Sequence, residues 1–81
     1  MDLTDKNKFV ALVKEHQNIL HKICHVYCYT KEDKQDLSQE IILQLFKSYD
    51  SFKGKSSFAT WMYRVALNTA ITKTKRPNLF V

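Results

Sequence analysis

An all-α domain is the fold class this sequence predicts, and three observations predict it. The 81 residues contain a single Gly and a single Pro, so the turn residues that hairpins of short strands require are missing. Apolar side chains recur instead at the three- and four-residue spacing of helix faces. No run of ~18 apolar residues is available to cross a bilayer as a helix. A chain of this length makes one domain and buries only a little over ~60% of the surface its unfolded form exposes, so the core is thin.

Three helices are expected. The first runs from about Asp5 to Cys28, with Thr4 or Asp5 accepting the orphan N–H groups at its start. At ~100° per residue, Phe9, Leu12, Val13, His16, Ile19, Leu20, Ile23 and Tyr27 share one face. The second begins after Thr30, where Thr30 and Asp33 resemble a capping box. It continues to about Tyr49, with Ile41, Ile42, Leu45, Phe46 and Tyr49 on a core-facing stripe. The segment DSFKGKSS, Asp50 to Ser57, holds the only Gly and three Ser and reads as an ordered loop. Ser57 or Ser56 then caps a third helix from Phe58 to about Lys75, which stops because Pro77 disfavours a helical Arg76. The expectation is a three-helix bundle with an ordered loop between helices two and three.

Charge is informative by position. Residues 1 to 50 carry seven Lys and eight Asp or Glu, a sum of −1, whereas residues 51 to 81 carry four Lys, two Arg and no acid, a sum of +6. A C-terminal third without a carboxylate is the footprint of a surface for a polyanion, and nucleic acid fits it best because the basic residues are interleaved with aromatic and apolar ones. The N-terminus, MDLTDKNK, mixes acids and bases and does not read as a secretory signal, so a cytoplasmic protein is expected.

Two faces could carry function. On helix two, Asp36, Gln39, Glu40 and Leu43 sit at i, i+3, i+4 and i+7 and form one patch away from the core stripe. It is either a docking surface for a basic or amphipathic partner or an ordinary solvated face. On helix three, Thr60, Arg64 and Asn68 stack in one row flanked by Trp61, a hydroxyl, a guanidinium and an amide suited to phosphates and base edges. Ahead of them Phe52 stands among Lys53, Gly54, Lys55, Ser56 and Ser57, a ring and donors of the kind an unstacked base would use. Phe52, Phe58 and Trp61 could equally be core residues. Lys73, Lys75 and Arg76 extend the basic character to the end of the helix.

His21, Cys24, His25 and Cys28 have the residue types of a zinc site. The outer pair are seven residues apart on one rod, about 10.5 Å, and four such ligands cannot close a tetrahedron around one ion. No native metal is expected, no cofactor is indicated, and the cysteines should stay reduced. Neither a nucleophile beside a base nor a Gly-rich phosphate cradle stands out, which argues against an enzyme.

The run DLSQEIILQLFKSYDSFKGKSSFATWMYRVALNTA, Asp36 to Ala70, closely resembles region 2 of the extracytoplasmic-function (ECF) sigma factors of bacteria. It covers nearly half the chain without a gap, and resembles primary sigma factors more loosely through DLSQE, FATW and Arg64. Upstream, Phe9 to Cys28 matches only as an apolar helical pattern. The resemblance implies a transcription initiation factor. Asp36, Gln39 and Glu40, with Leu37 or Leu43 as apolar support, would dock on the clamp helices of the largest subunit of RNA polymerase core. Phe52 and the loop from Lys53 to Ser57 would form the pocket for a base flipped from the non-template strand of the −10 promoter element. Asn68 would help to read that base, while Thr60, Trp61 and Arg64 support the strand or the duplex upstream. An anti-sigma factor is implied as a further partner.

Two departures stand out. Primary sigma factors have two neighbouring tryptophans where this chain has Trp61 followed by Met62, which fits the narrow promoter sets of the ECF class. The family's second, −35-reading domain has no counterpart within these 81 residues, so the chain reads as a fragment carrying one domain. Residues 1–76 therefore read as the region 2 domain and 77–81 as the start of a linker. The alternatives are a duplex-binding helical repressor, against which the eight-residue loop argues, and a protein-interaction module whose basic end meets an acidic regulator.

Overall fold

A computed structural model describes residues 3–52 and 54–80. Four α-helices follow one another: α1 (Leu3–Glu15), α2 (Gln17–Tyr27), α3 (Lys31–Ser48) and α4 (Phe58–Thr74), with a one-turn 3-10 helix at Tyr49–Ser51. The fold is all-α, as the sequence predicts, and the loop lies between α3 and α4. The helix expected from Asp5 to Cys28 is instead two helices. Thr4 and Asp5, expected as caps, fall inside the first turn of α1.

The break has an identifiable cause. His16 leaves the helical region at φ −110°, ψ 21°. The Leu12 carbonyl accepts both the His16 backbone N–H, at 3.1 Å, and the imidazole Nδ1, at 2.9 Å. A carbonyl only accepts, so Nδ1 carries a proton in this contact. The imidazole thus shares the Leu12 carbonyl with the backbone at the point where the helix kinks, and Ile19 restarts it with a shorter-range bond to the His16 carbonyl at 3.0 Å.

Helices α2, α3 and α4 run up, down and up. His16 at the start of α2 meets Phe58 at the start of α4 (ring centroids 5.3 Å apart), while Tyr27 at the end of α2 shares a pocket with Thr74 in the last turn of α4. Each helix contributes a row of buried residues. On α2 these are Leu20, Ile23, Cys24 and Tyr27; on α3, Leu37, Ile41 and Leu45; on α4, Phe58, Met62, Ala66 and Ala70. The i±4 rows on α3 and α4 are the ridges that pack into a neighbour's grooves. Ala66 and Ala70, both fully buried, let α4 approach its neighbours closely along its second half. Burying each large aliphatic side chain contributes about 1.5–3 kcal/mol.

Of the stripe expected on α3, Ile41 and Leu45 are buried and Tyr49 packs against the core, whereas Ile42 and Phe46 do not lie on the buried line. Leu37 takes a core place at 1% exposure, while Ile42 and Phe46 are 38% and 42% exposed. Ile41 and Leu45 define the buried line, and residues one position further on point about 100° away from it. Phe46 keeps one edge on the core through a T-shaped contact with Phe9 at 5.8 Å.

The helix ends are closed by side chains. Thr30 Oγ1 accepts from the Asp33 N–H at 3.0 Å, as the capping reading expects, and Ser57 Oγ accepts from the Thr60 N–H at 3.1 Å. Beyond α4, Lys75 adopts the left-handed conformation (φ 59°) and donates its N–H to the Ile71 carbonyl at 2.8 Å. The chain then folds back over α2. The Tyr27 hydroxyl donates to the Pro77 carbonyl at 2.9 Å and accepts from the Leu79 N–H at 3.1 Å. Phe80 settles against the Tyr27 and Tyr63 rings, with centroids 6.2 and 5.9 Å away.

Candidate functional site

The acid–amide patch is presented on the outer side of α3. Asp36 and Gln39 are exposed and Glu40 is half-buried, with its carboxylate accepting from Gln44 Nε2 at 3.0 Å. Leu43 is 45% exposed and continues into exposed Ile42 and Phe46. Leu43 is therefore one member of a small apolar strip beside two carboxylates. Leu37 corrects the sequence reading: it lies at i, i+4 and i+8 with Ile41 and Leu45 and is wholly within the core. It cannot offer its side chain to a partner.

At the other end of α3, the loop closes over a cluster of rings. Phe52 is half-buried and packs against Trp61 at 5.1 Å, Phe58 at 5.9 Å and Tyr49 at 6.4 Å. Trp61 also meets Phe58 at 5.4 Å. Phe58 is buried, whereas Phe52 and Trp61 each keep part of their surface in solvent. Gly54 has φ +71°, a conformation that favours glycine, and the space where a Cβ would stand is open. Lys55 and Ser57 are exposed and Ser56 is half-buried. Ser57 Oγ donates to Thr60 Oγ1 at 2.9 Å besides capping α4, so the loop and the helix start share one hydroxyl pair. Lys53 lies outside the described residues.

Thr60, Arg64 and Asn68 form an exposed row along α4, as their spacing requires. Trp61 flanks the row. Met62 is fully buried, so the thioether beside the tryptophan belongs to the core and not to this surface. Lys73 and Lys75 are exposed, and the half-buried Arg76 places its guanidinium 4.8 Å from the centroid of the exposed Tyr29 ring.

Antiparallel packing of α3 and α4 also brings the two faces to shared grooves, which sequence spacing could not reveal. Glu40 and Asn68 line one groove of about 580 Å³ together with Gln44 and Thr72. Asp36 lines a smaller one with Lys73 and Arg76. The end of the acidic patch thus lies beside the end of the basic row. Tyr49, read from the sequence only as a core residue, joins the ring cluster beside Phe52 and Trp61.

The histidine–cysteine run divides by burial. Cys24 and Cys28 are buried free thiols, while His21 and His25 are exposed. Among the described residues no group of three or more His, Cys, Asp or Glu is placed to hold a metal ion. Burial in the core, with Cys28 adding and Lys34 opposing, pushes the Cys24 thiol up to about 11. Burial raises Cys28 as well. Both are poor nucleophiles near neutral pH. No helix among the described residues is long and apolar enough to cross a membrane.

Comparison with known proteins agrees with the motif that spans α3, the loop and α4. The family model for Sigma-70 region 2 matches residues 12–78. The ECF RNA polymerase sigma-E factor of Haemophilus influenzae is 39% identical over 66 residues, which cover 82% of this chain and 34% of that protein. The RNA polymerase sigma-H factor of Pseudomonas aeruginosa is 31% identical over 77 residues, covering 90% of this chain and 40% of the relative. The ECF RNA polymerase sigma factor SigG of Mycobacterium tuberculosis is 36% identical over 67 residues, covering 83% and 18%. The chain therefore spans between 18% and 40% of the length of these relatives. No solved structure matches it.

Proposed function

The chain belongs to the Sigma-70 region 2 family, and from that premise we propose that it is a non-enzymatic transcription initiation factor domain with two working faces. The α3 face, through Asp36, Gln39, Glu40 and Leu43, docks on the clamp helices of the largest subunit of RNA polymerase core. The loop and α4 engage the −10 element on the non-template strand. Phe52, with Lys53, Lys55, Ser56 and Ser57, receives one base as it leaves the stack, and Asn68 reads it. Thr60, Trp61 and Arg64 support the strand, and Lys73, Lys75 and Arg76 supply phosphate contacts.

The observation that carries this reading is the separation of chemistry along one antiparallel helix pair. An acid–amide surface with an exposed apolar strip lies on α3, and a hydroxyl–guanidinium–amide row beside a partly open ring cluster lies on α4. Unpairing and unstacking a base costs a few kcal/mol, and stacking one base on an aromatic ring returns about 1–3 kcal/mol. One captured base therefore offsets much of the opening of one pair. Basic residues add the salt-dependent phosphate term. An anti-sigma factor that covers either face would silence the domain.

The test is a pull-down of core polymerase with Asp36→Arg combined with Glu40→Arg. Both residues lie outside the core, so the fold should survive by circular dichroism while core binding is lost. Normal core binding by the double variant refutes the assignment of α3. In parallel, Asn68→Ala should change preference at one −10 position; an equal loss across all sequences would make it a phosphate contact instead.

A further inference from the structure

Tyr29 is 81% exposed, more than any other large apolar side chain among the described residues. Neither face of the proposed function uses it. It stands in the turn between α2 and α3, where Cys28 ends α2 in an extended conformation and Thr30 caps α3. A single exposed ring is ordinary, but this one carries a cation. The Arg76 guanidinium lies over it, 4.8 Å from the ring centroid, well inside the range of a cation–π contact.

Arg76 is held along its backbone as well as at its tip. It follows the left-handed Lys75, whose N–H donates to the Ile71 carbonyl at 2.8 Å. Its own N–H donates to Thr74 Oγ1 at 3.3 Å, and the Tyr27 hydroxyl fixes the next carbonyl, that of Pro77, at 2.9 Å. Asp33 and Asp36 line the same pocket as Tyr29, Lys73 and Arg76. Among the described residues, however, no carboxylate forms an ion pair with the guanidinium. One face of the planar cation is therefore occupied by the ring, while its N–H edge stays available.

A guanidinium stacked by its face and open along its edge is the arrangement that binds a phosphate with two parallel hydrogen bonds. We propose that Tyr29 is a positioning residue of the DNA interface, whose ring holds the Arg76 guanidinium at the end of α4 for a backbone phosphate. This rests on the reading of the loop and α4 as the promoter-binding face, and adds the α2–α3 turn to it. Tyr29 acts through Arg76 and has no contact of its own with DNA. Ordering a long side chain on binding costs about two- to tenfold in affinity, and a guanidinium already held against a ring escapes most of that loss. Lys73 and Lys75, exposed at the same end of α4, have no such support.

The experiment measures, across a range of salt, how the 81-residue chain binds a mixed-sequence duplex with an oligothymidylate overhang. Arg76→Gln should lower the slope of log K against log salt by about 0.9, the share of one phosphate. Tyr29→Ala should weaken binding about two- to tenfold, while Tyr29→Phe, which keeps the ring, should bind as the unsubstituted chain does. In the Arg76→Gln background Tyr29→Ala should have no further effect, a result that a merely structural role for the ring would not give. These outcomes together support the positioning role. An equal loss in both backgrounds means that Tyr29 acts without Arg76 and overturns it, as does a loss with Tyr29→Phe equal to that with Tyr29→Ala. No loss with Tyr29→Ala, where Arg76→Gln still lowers the slope, overturns it and leaves the proposed function standing. Lys55→Gln with Arg64→Gln serves as the reference for the loop–α4 face. If that pair lowers the slope and Arg76→Gln does not, only the role of Tyr29 and Arg76 fails; if neither changes binding, the loop–α4 reading fails and takes that role with it. No DNA binding by the unsubstituted chain at low salt overturns the role too. Loss of core polymerase binding by Tyr29→Ala, with DNA affinity unchanged, assigns the ring to the polymerase and overturns the proposal.

Discussion

At one end of the bundle Phe52, Phe58 and Trp61 close the core ring against ring, at centroid distances between 5.1 and 5.9 Å. At the other end the returning chain is pinned by one buried phenol, Tyr27, which both donates and accepts. Ring contacts are tolerant of substitution, because another flat apolar surface can replace a displaced one at small cost. Hydrogen bonds to a buried hydroxyl are not, since a lost partner leaves a polar group without compensation. The two ends therefore suit different tasks. The ring end can exchange one aromatic neighbour for a base, whereas the phenol end fixes the path of the chain.

The largest effect should separate the two ends directly. Tyr27→Ala removes a side chain that is 1% exposed and should cost about 3–5 kcal/mol in a urea melt. Trp61→Ala, half-buried, should cost about 2 kcal/mol by the apolar area it loses. Its larger signature should be weaker single-strand binding. Equal stability losses for the two would break the contrast between the ends. Tyr27→Phe keeps the ring and removes both hydrogen bonds; a loss of about 1–2 kcal/mol in thermal unfolding would show how much of the phenol end is polar. Replacing the caps, Thr30→Ala and Ser57→Ala, should cost about 1 kcal/mol each. Ser57 should cost more, because its hydroxyl also donates to Thr60.

The narrowest effect is in pH, confined to the alkaline range. Cys24 has its thiol raised to about 11 from 9.0, chiefly by burial. Between those values the unfolded chain loses the thiol proton before the folded one does. The unfolded state then binds fewer protons, so stability falls as pH rises through the window. Unfolding curves of the wild type and Cys24→Ala should converge as pH rises from 9 towards 11, and curves that stay parallel would remove the thiol from the account.

Much of this was legible in the sequence because helix periodicity and capping are local. Thr30 with Asp33, Ser57 at the head of α4, and the Thr60–Arg64–Asn68 row needed only residue type and spacing. The stripe on α3 was right at Ile41 and Leu45 but included Ile42 and Phe46 and left out Leu37, because all five are apolar and only packing against α2 and α4 decides which line is buried. The break at His16 was invisible for a related reason. It involves a side chain that shares a backbone carbonyl within a segment whose apolar pattern continues unbroken.

That break has a further consequence. The main packing of the molecule is among α2, α3 and α4, and α1 joins it chiefly through Phe9, Leu12 and Val13. His16 therefore marks a seam between two cooperative units of unequal stability. Amides of α1 should exchange with solvent through a sub-global opening that leaves the three-helix unit protected. Because Phe9 rests on Phe46 and Tyr49, that opening would also bare the flank of the ring cluster. Hydrogen exchange would then report α1 as a shutter over the aromatic end, with His16 as its hinge.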